Sequence, residues 1–197
     1  MKWNLKDIIQ ETNHPYLNFF TLVYEVDGKE YTYFMASRHN KDTLYALHHT
    51  KRPDGVIIPC YYIDENKQVS LLITSQFRPA LNRIVTSIPA GLVDPDDDLF
   101  GCAKREALEE GGVIIDNLEL ICPASPTSSG LSDEVNSVVL GQIVEFKENR
   151  LEEFEDISVK LIPLKEIKKM LEDEQYFFAL NVRLLLKYLL LRFKDEK

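Results

Sequence analysis

Cysteine is scarce in this chain: Cys60, Cys102 and Cys122 are an odd set with no CxxC spacing, which excludes a disulfide-stapled scaffold and a cysteine zinc site. They read as reduced thiols in apolar surroundings. Long apolar runs are missing too. The most hydrophobic stretch, residues 179–193, is broken by Arg183, Lys187 and Arg192, too short and too charged to span a bilayer, and it reads as a core-packing terminal helix. The opening MKWNLKDIIQETNHP has no continuous apolar segment followed by a cleavage site, so a cytoplasmic location is expected. Positive charge is in deficit, with 23 Lys and Arg against 32 Asp and Glu, and the formal net charge of -9 repels polyphosphate backbones. No basic cluster interleaved with aromatics offers a nucleic-acid track, so neither nucleic acid nor membrane is expected as a partner. Gly and Pro show no excess, which excludes collagen-like and disordered classes.

What remains is a globular chain of 197 residues, 45% hydrophobic, long enough for one domain with an appendage. If so acidic a protein binds a phosphorylated substrate, local arginines or bound cations must overcome the repulsion.

Residues 19–26 and 29–35 are rich in aromatic and β-branched types around Asp27-Gly28, a hairpin turn signal. Residues 39–53 are polar without clear period, and His48 and His49 in them are expected to be solvated loop histidines. A second hairpin is expected from residues 55–63 and 68–75, joined by the turn Asp64-Glu65-Asn66-Lys67. A strand is expected at 84–88, then a helix from the N-cap candidate Asp98 to Gly111-Gly112, where glycine can take a left-handed C-cap conformation. Strands follow at 118–122, 135–146 and 157–162, and Pro163 opens a helix over 164–172.

The informative segment is PAGLVDPDDDLFGCAKREALEEGGV, residues 89–113. In a helix, Glu106, Glu109 and Glu110 project from one side, with Ala103, Ala107 and Leu108 opposite for packing. Two unit charges about 4 Å apart repel by ~4 kcal/mol at an effective dielectric near 20, so something must offset them. A solvated acidic face partly neutralised by Lys104 and Arg105 is one answer; Mg²⁺ bridging carboxylates to phosphate is another.

The segment resembles the Nudix box: a glycine, five residues, a glutamate, seven residues, then Arg-Glu, an apolar residue, any residue, Glu-Glu, any residue, Gly and an apolar residue. Gly91, Arg105, Glu106, Glu109, Glu110 and Gly112 match its fixed positions, while Asp97 stands one methylene short of the usual glutamate. Around the box, QFRPALNRIVTSIPAGLVD and an SP-containing loop resemble the ADP-ribose pyrophosphatase branch.

That resemblance implies an α/β fold, a Nudix-type α/β/α sandwich around a mixed sheet, with an N-terminal β-hairpin extension. Residues 1–50 would form the hairpin region, a possible dimerisation element, and 51–197 the catalytic domain. It implies Mg²⁺-dependent hydrolysis of ADP-ribose, or a related nucleoside diphosphate sugar, to AMP and ribose 5-phosphate by a homodimer, with Mn²⁺ able to replace Mg²⁺. The metal falls to Glu106, Glu109, Glu110 and the Ala90 carbonyl, and Arg105 orients the glutamates. Arg78 would hold substrate phosphate. The loop 124–134, with Gly130 and Ser132, resembles the branch's phosphate-side loop, stretched by Thr127-Ser128-Ser129. The general base would come from the acidic loop as Glu153 or Glu155, with Glu134 competing. Trp3, Tyr24, Tyr31 and Tyr33 are candidates for stacking the base, or ordinary cross-strand packing. The alternatives are hydrolysis of a different nucleoside diphosphate sugar, and a non-catalytic module that senses one.

Overall fold

In a computed structural model, residues 1–49, 52–94, 96–151 and 156–195 are described. The chain divides into two compact units, Met1–Asp54 with Pro123–Asn136, and Gly55–Cys122 with Ser137–Lys197.

The first unit is built on an antiparallel meander, β1 (Trp3–Gln10), β2 (Asn18–Val26) and β3 (Lys29–Ser37). Asp27 and Gly28 turn β2 into β3 with φ of 49° and 79°, both left-handed. Such a two-residue turn matches the twist of the strands it joins, which is why Asp-Gly announces it. Strand β1 carries no such signal. Only Ile8 of its residues is buried, and a bulge between Leu5 and Asp7 breaks its alternation. Ile8, Phe20, Leu22, Met35 and Leu44 make this unit's core. The polar segment after β3 holds a 3-10 turn, Lys41–Thr43, capped by the Asn40 side chain, and a single helical turn, α1 (Tyr45–His48).

An ion pair ties this unit together. His39 Nε2 lies 2.8 Å from Asp54 Oδ1, and Asp54 Oδ2 accepts from Val135 N at 2.8 Å. The hydrogen bond to Asp54, with the charges of Asp54 and Asp133, outweighs partial burial and raises the imidazole above its ordinary 6.5. A raised folded-state pKa stabilises the fold fully below the unfolded value, and that contribution fades as pH climbs through the folded value. The urea midpoint of the wild type, measured against His39→Gln, is therefore expected to fall as pH rises above the ordinary imidazole value of 6.5. Parallel curves for the two proteins would remove the ion pair from the stability account.

The second unit begins with β4 (Gly55–Ile57), β5 (Cys60–Ile63), β6 (Val69–Arg78), β7 (Arg83–Ser87) and β8 (Ala90–Leu92). Helix α2 (Leu99–Glu109) follows, then β9 (Val113–Pro126), β10 (Val135–Phe146), β11 (Ile157–Pro163), α3 (Leu164–Glu172) and α4 (Leu180–Arg192). The sheet runs β11-β6-β5-β10-β4-β8, with β7 on β6 and β9 on β10. Parallel pairing of β10 with β5 beside antiparallel β5-β6 and β6-β11 makes it mixed. The single strand expected over 55–63 is two. Pro59 has no N–H to donate, so the chain changes partner there, and β4 pairs with β8 while β5 pairs with β6.

Alternation along the strands supplies two faces. Ile57, Leu71, Ile73 and Leu140 point to one cluster, closed by Ile167, Met170 and Leu171 of α3 and by Val182, Leu186 and Leu189 of α4. Val56, Ile58, Leu72 and Val139 point to the other, closed by Cys102, Ala103 and Ala107 of α2. The result is an α/β/α sandwich in which α2 is, among the described residues, the helix on its face.

Candidate active site

Helix α2 starts where Asp98 Oδ1 accepts from Gly101 N at 2.8 Å. Its buried stripe is Cys102, Ala103 and Ala107, not Ala103, Ala107 and Leu108; Leu108 is only half-buried. The carboxylates are therefore not opposite the packing face. Glu106 and Glu110 follow Cys102 at successive turns, on the border between the sheet and the open side. Glu110 is only 8% exposed.

A buried carboxylate requires partners. Glu110 Oε2 accepts from Ala90 N at 2.8 Å. Arg105 Nη1 donates to Glu106 Oε1 at 2.8 Å and to Glu109 Oε2 at 2.9 Å. Its Nη2 reaches Leu92 O and Asp97 Oδ2, each at 3.4 Å. The shorter Asp97 side chain thus still meets the arginine, at the long end of a hydrogen bond. Burial works against the Arg105 charge, but Glu106 and Glu109 overcome it and hold the guanidinium above its usual range. Cys102, beside it, is held out of the chemistry: burial pushes its thiol up to about 11, and Sγ donates to Leu92 O at 3.2 Å.

The first box glycine has a steric cause. A Cβ on Gly91 would stand 2.0 Å from Glu106 Cδ and 2.1 Å from its Oε1, so only glycine lets this carboxylate lie against β8.

A cavity of about 510 Å³ opens over this arrangement, lined by Gln76, Arg78, Ala90, Arg105, Glu106, Glu109, Glu110 and Arg150 among others. Arg78 arrives from the end of β6. The acidic side chains offer carboxylate oxygens, hard donors that suit Mg²⁺ and not a thiophilic metal. Among the described residues, no three His, Cys, Asp or Glu side chains stand close enough to enclose a metal; the box glutamates are engaged by Arg105 and the Ala90 N–H. A cation that keeps several waters needs few protein ligands and fits this set.

Other sequence candidates lie elsewhere. Gly130, Ser132 and Glu134 belong to the first unit. The Gly130 carbonyl accepts from Tyr33 OH at 2.8 Å. Glu134 is engaged, accepting from Thr127 Oγ1 at 2.8 Å and Arg38 Nε at 3.3 Å. Ser132 lines a separate cavity, also about 510 Å³, with Trp3, Tyr24, Tyr31 and Tyr33. Trp3 meets Tyr24 and Tyr31 edge to face at 5.5 and 5.4 Å. Glu153 and Glu155 lie outside the described residues. Sequence reasoning missed Gln76 and Arg150 in the carboxylate cavity. For Arg150, its place directly before the acidic run was the available signal.

A family model described as the NUDIX domain matches residues 51–180. Over 127 residues the chain is 30% identical to the ADP-ribose pyrophosphatase of Bacillus subtilis (strain 168), covering 64% of this chain and 66% of that one. It is 30% identical over 141 residues to Nudix hydrolase 14, chloroplastic, of Arabidopsis thaliana, covering 61% and 46%. It is 30% identical over 113 residues to the methanol dehydrogenase activator of Bacillus methanolicus, covering 57% and 59%. The match thus spans roughly half to two thirds of each relative's length. A solved structure of an ADP compounds hydrolase superposes with a TM-score of 0.75 at 16% identity, covering 100% of this chain and 96% of that one, and so shares the fold.

Proposed function

The chain belongs to the Nudix family, whose domain model spans residues 51–180, and from that premise we propose that it hydrolyses the pyrophosphate of ADP-ribose, or a closely related nucleoside diphosphate sugar, to AMP and ribose 5-phosphate. The observation that carries this reading is the gathering of Glu106, Glu109, Glu110 and Ala90 around one cavity with Arg78. ADP-ribose as substrate draws on the similarity to the ADP-ribose pyrophosphatase of Bacillus subtilis.

In this proposal Glu106, Glu109, Glu110 and the Ala90 carbonyl hold Mg²⁺, which Mn²⁺ can replace. The bound cation polarises phosphate oxygens and lowers the pKa of an attacking water. Arg105 keeps Glu106 and Glu109 aligned, so that they would be positioned to hold the cation. Arg78 places the phosphates, and the loop with Gly130 and Ser132 keeps its assignment as a substrate-binding element of the first unit. A proton must leave the attacking water, and metal-engaged glutamates have little affinity for it. The acidic loop is assigned that role, Glu153 first and Glu155 second. Glu134 ranks lower because Thr127 and Arg38 already hold it. The aromatic lining of the first unit's cavity suits a flat nucleobase. Residues 51–197 act as the catalytic part, and the protein works in the cytoplasm as a homodimer joined through the sheet of residues 1–50. The exposed stacked pair Phe19 and Phe34 on that sheet supports the last point.

Initial rates across ADP-ribose, ADP-glucose, UDP-glucose and GDP-mannose test the substrate. ADP-ribose is expected to have the highest kcat/KM, since phosphate contacts are common to all four and only base and sugar contacts discriminate. A clear preference for a non-adenine sugar would replace it.

A further inference from the structure

Among the described residues, the charged lining of the carboxylate cavity is four acids, Asp94, Glu106, Glu109 and Glu110, and three arginines, Arg78, Arg105 and Arg150. Arg105 is spent on glutamates. Arg150 is different. Among the described residues its guanidinium has no hydrogen-bond or ion-pair partner, although four carboxylates line the same cavity.

Its backbone is nevertheless fixed. Lys147 N donates to Gly112 O at 2.7 Å, and Arg150 N donates to Glu109 O at 2.9 Å. These two bonds staple the segment after β10 to the end of α2. The second box glycine permits the approach. Gly112 has a φ of 62°, and a Cβ there would stand 2.8 Å from Lys147 O and 3.0 Å from Asn149 N. A chain that anchors an arginine backbone this way, yet gives its guanidinium no partner among the described residues, has a cation at the cavity free to meet a ligand. The planar five-donor fork matches phosphate oxygens two at a time, which an ammonium group does not.

We propose that Arg150 is a second phosphate-holding residue of this cavity, gripping the substrate pyrophosphate alongside Arg78. The proposal rests on the reading that the cavity takes a pyrophosphate. It also gives Gly112 a purpose beyond ending a helix: the residue sets where Arg150 stands.

The test uses the full-length protein with α,β-methylene ADP-ribose, which binds without turnover, and with ADP-ribose. Charge-assisted bonds of this kind correspond to about tenfold or more in affinity. Arg150→Ala is expected to raise both the calorimetric Kd of the analogue and the KM by about tenfold or more, with kcat changed by less than about threefold and the melting temperature preserved. Arg150→Lys is expected to recover only part of the loss. Wild-type Kd and KM in Arg150→Ala would overturn the assignment. So would a loss of kcat and melting temperature at unchanged Kd, the mark of a merely structural role. If the wild type itself binds no analogue and cleaves no ADP-ribose, the pyrophosphate reading falls first and this assignment with it.

Discussion

Glu106→Gln and Glu110→Gln are each expected to lower kcat on ADP-ribose by about a hundredfold or more while the protein stays folded. The expected size follows from removing one of few charged ligands in a site where transition-state charge is stabilised electrostatically. Folding should survive because the amide keeps the shape of each side chain and one acceptor oxygen. In Glu110→Gln that oxygen can still accept from Ala90 N, the bond that makes burial at 8% exposure tolerable. In Glu106→Gln, Arg105 retains Glu109. Circular dichroism and melting curves beside steady-state kinetics separate the two effects. Normal turnover by both variants would take the carboxylates out of the chemistry.

Gly91→Ala should be nearly as damaging, by a route that removes no functional group. The added methyl would sit 2.0 Å from Glu106 Cδ, a separation no structure tolerates. What yields is the far end of a flexible side chain, so the fold survives and Glu106 swings off β8. A displacement of about 1 Å at a reacting centre can cost about a hundredfold in rate. Gly91→Ala is therefore expected to lose between about tenfold and about a hundredfold in kcat, with a melting temperature close to that of the wild type. Full activity would mean that Glu106 does not need its observed position. A large fall in melting temperature would mean that the glycine serves the fold and not the site.

Local signals in the chain proved sufficient for local structure. Asp27-Gly28 specified its hairpin turn through two left-handed residues, Asp98 capped α2 as its side chain allows, and Pro163 opened α3 over the expected residues. Features that depend on distant partners were invisible. Strand β1 lies mostly exposed and bulged, so no alternation marks it. The three residues of β8 are too few to show a period, and they become a strand only by pairing with β4.

The site divides along the same line. The spacing of Glu106, Glu109 and Glu110 placed them on one helix, but their relation to the packing stripe depended on how α2 settles on the sheet. That in turn depended on Cys102, expected in apolar surroundings and found buried, but not counted in the packing stripe of the helix. Arg150 reaches the cavity from a segment far along the chain, and no spacing rule connects it to the box, while Gln76 lay inside the quoted QFRP stretch without a signal of its own. The engagement of Glu134 by Thr127 and Arg38 is likewise non-local on one side. Both box glycines, by contrast, acquired physical reasons only from three dimensions, one as the seat of Glu106 and the other as the passage for the segment that carries Arg150.

The central claim is that the carboxylate cavity cleaves a nucleoside diphosphate sugar with the help of a divalent cation. Its most direct test is to follow AMP release from ADP-ribose by chelated wild-type protein as Mg²⁺ is added back, beside Glu106→Gln under the same conditions. The account predicts no AMP before addition, AMP and ribose 5-phosphate in equal amounts after it, and almost none from the variant. AMP released by the wild type at an unchanged rate in excess chelator, or released equally by Glu106→Gln, would contradict it.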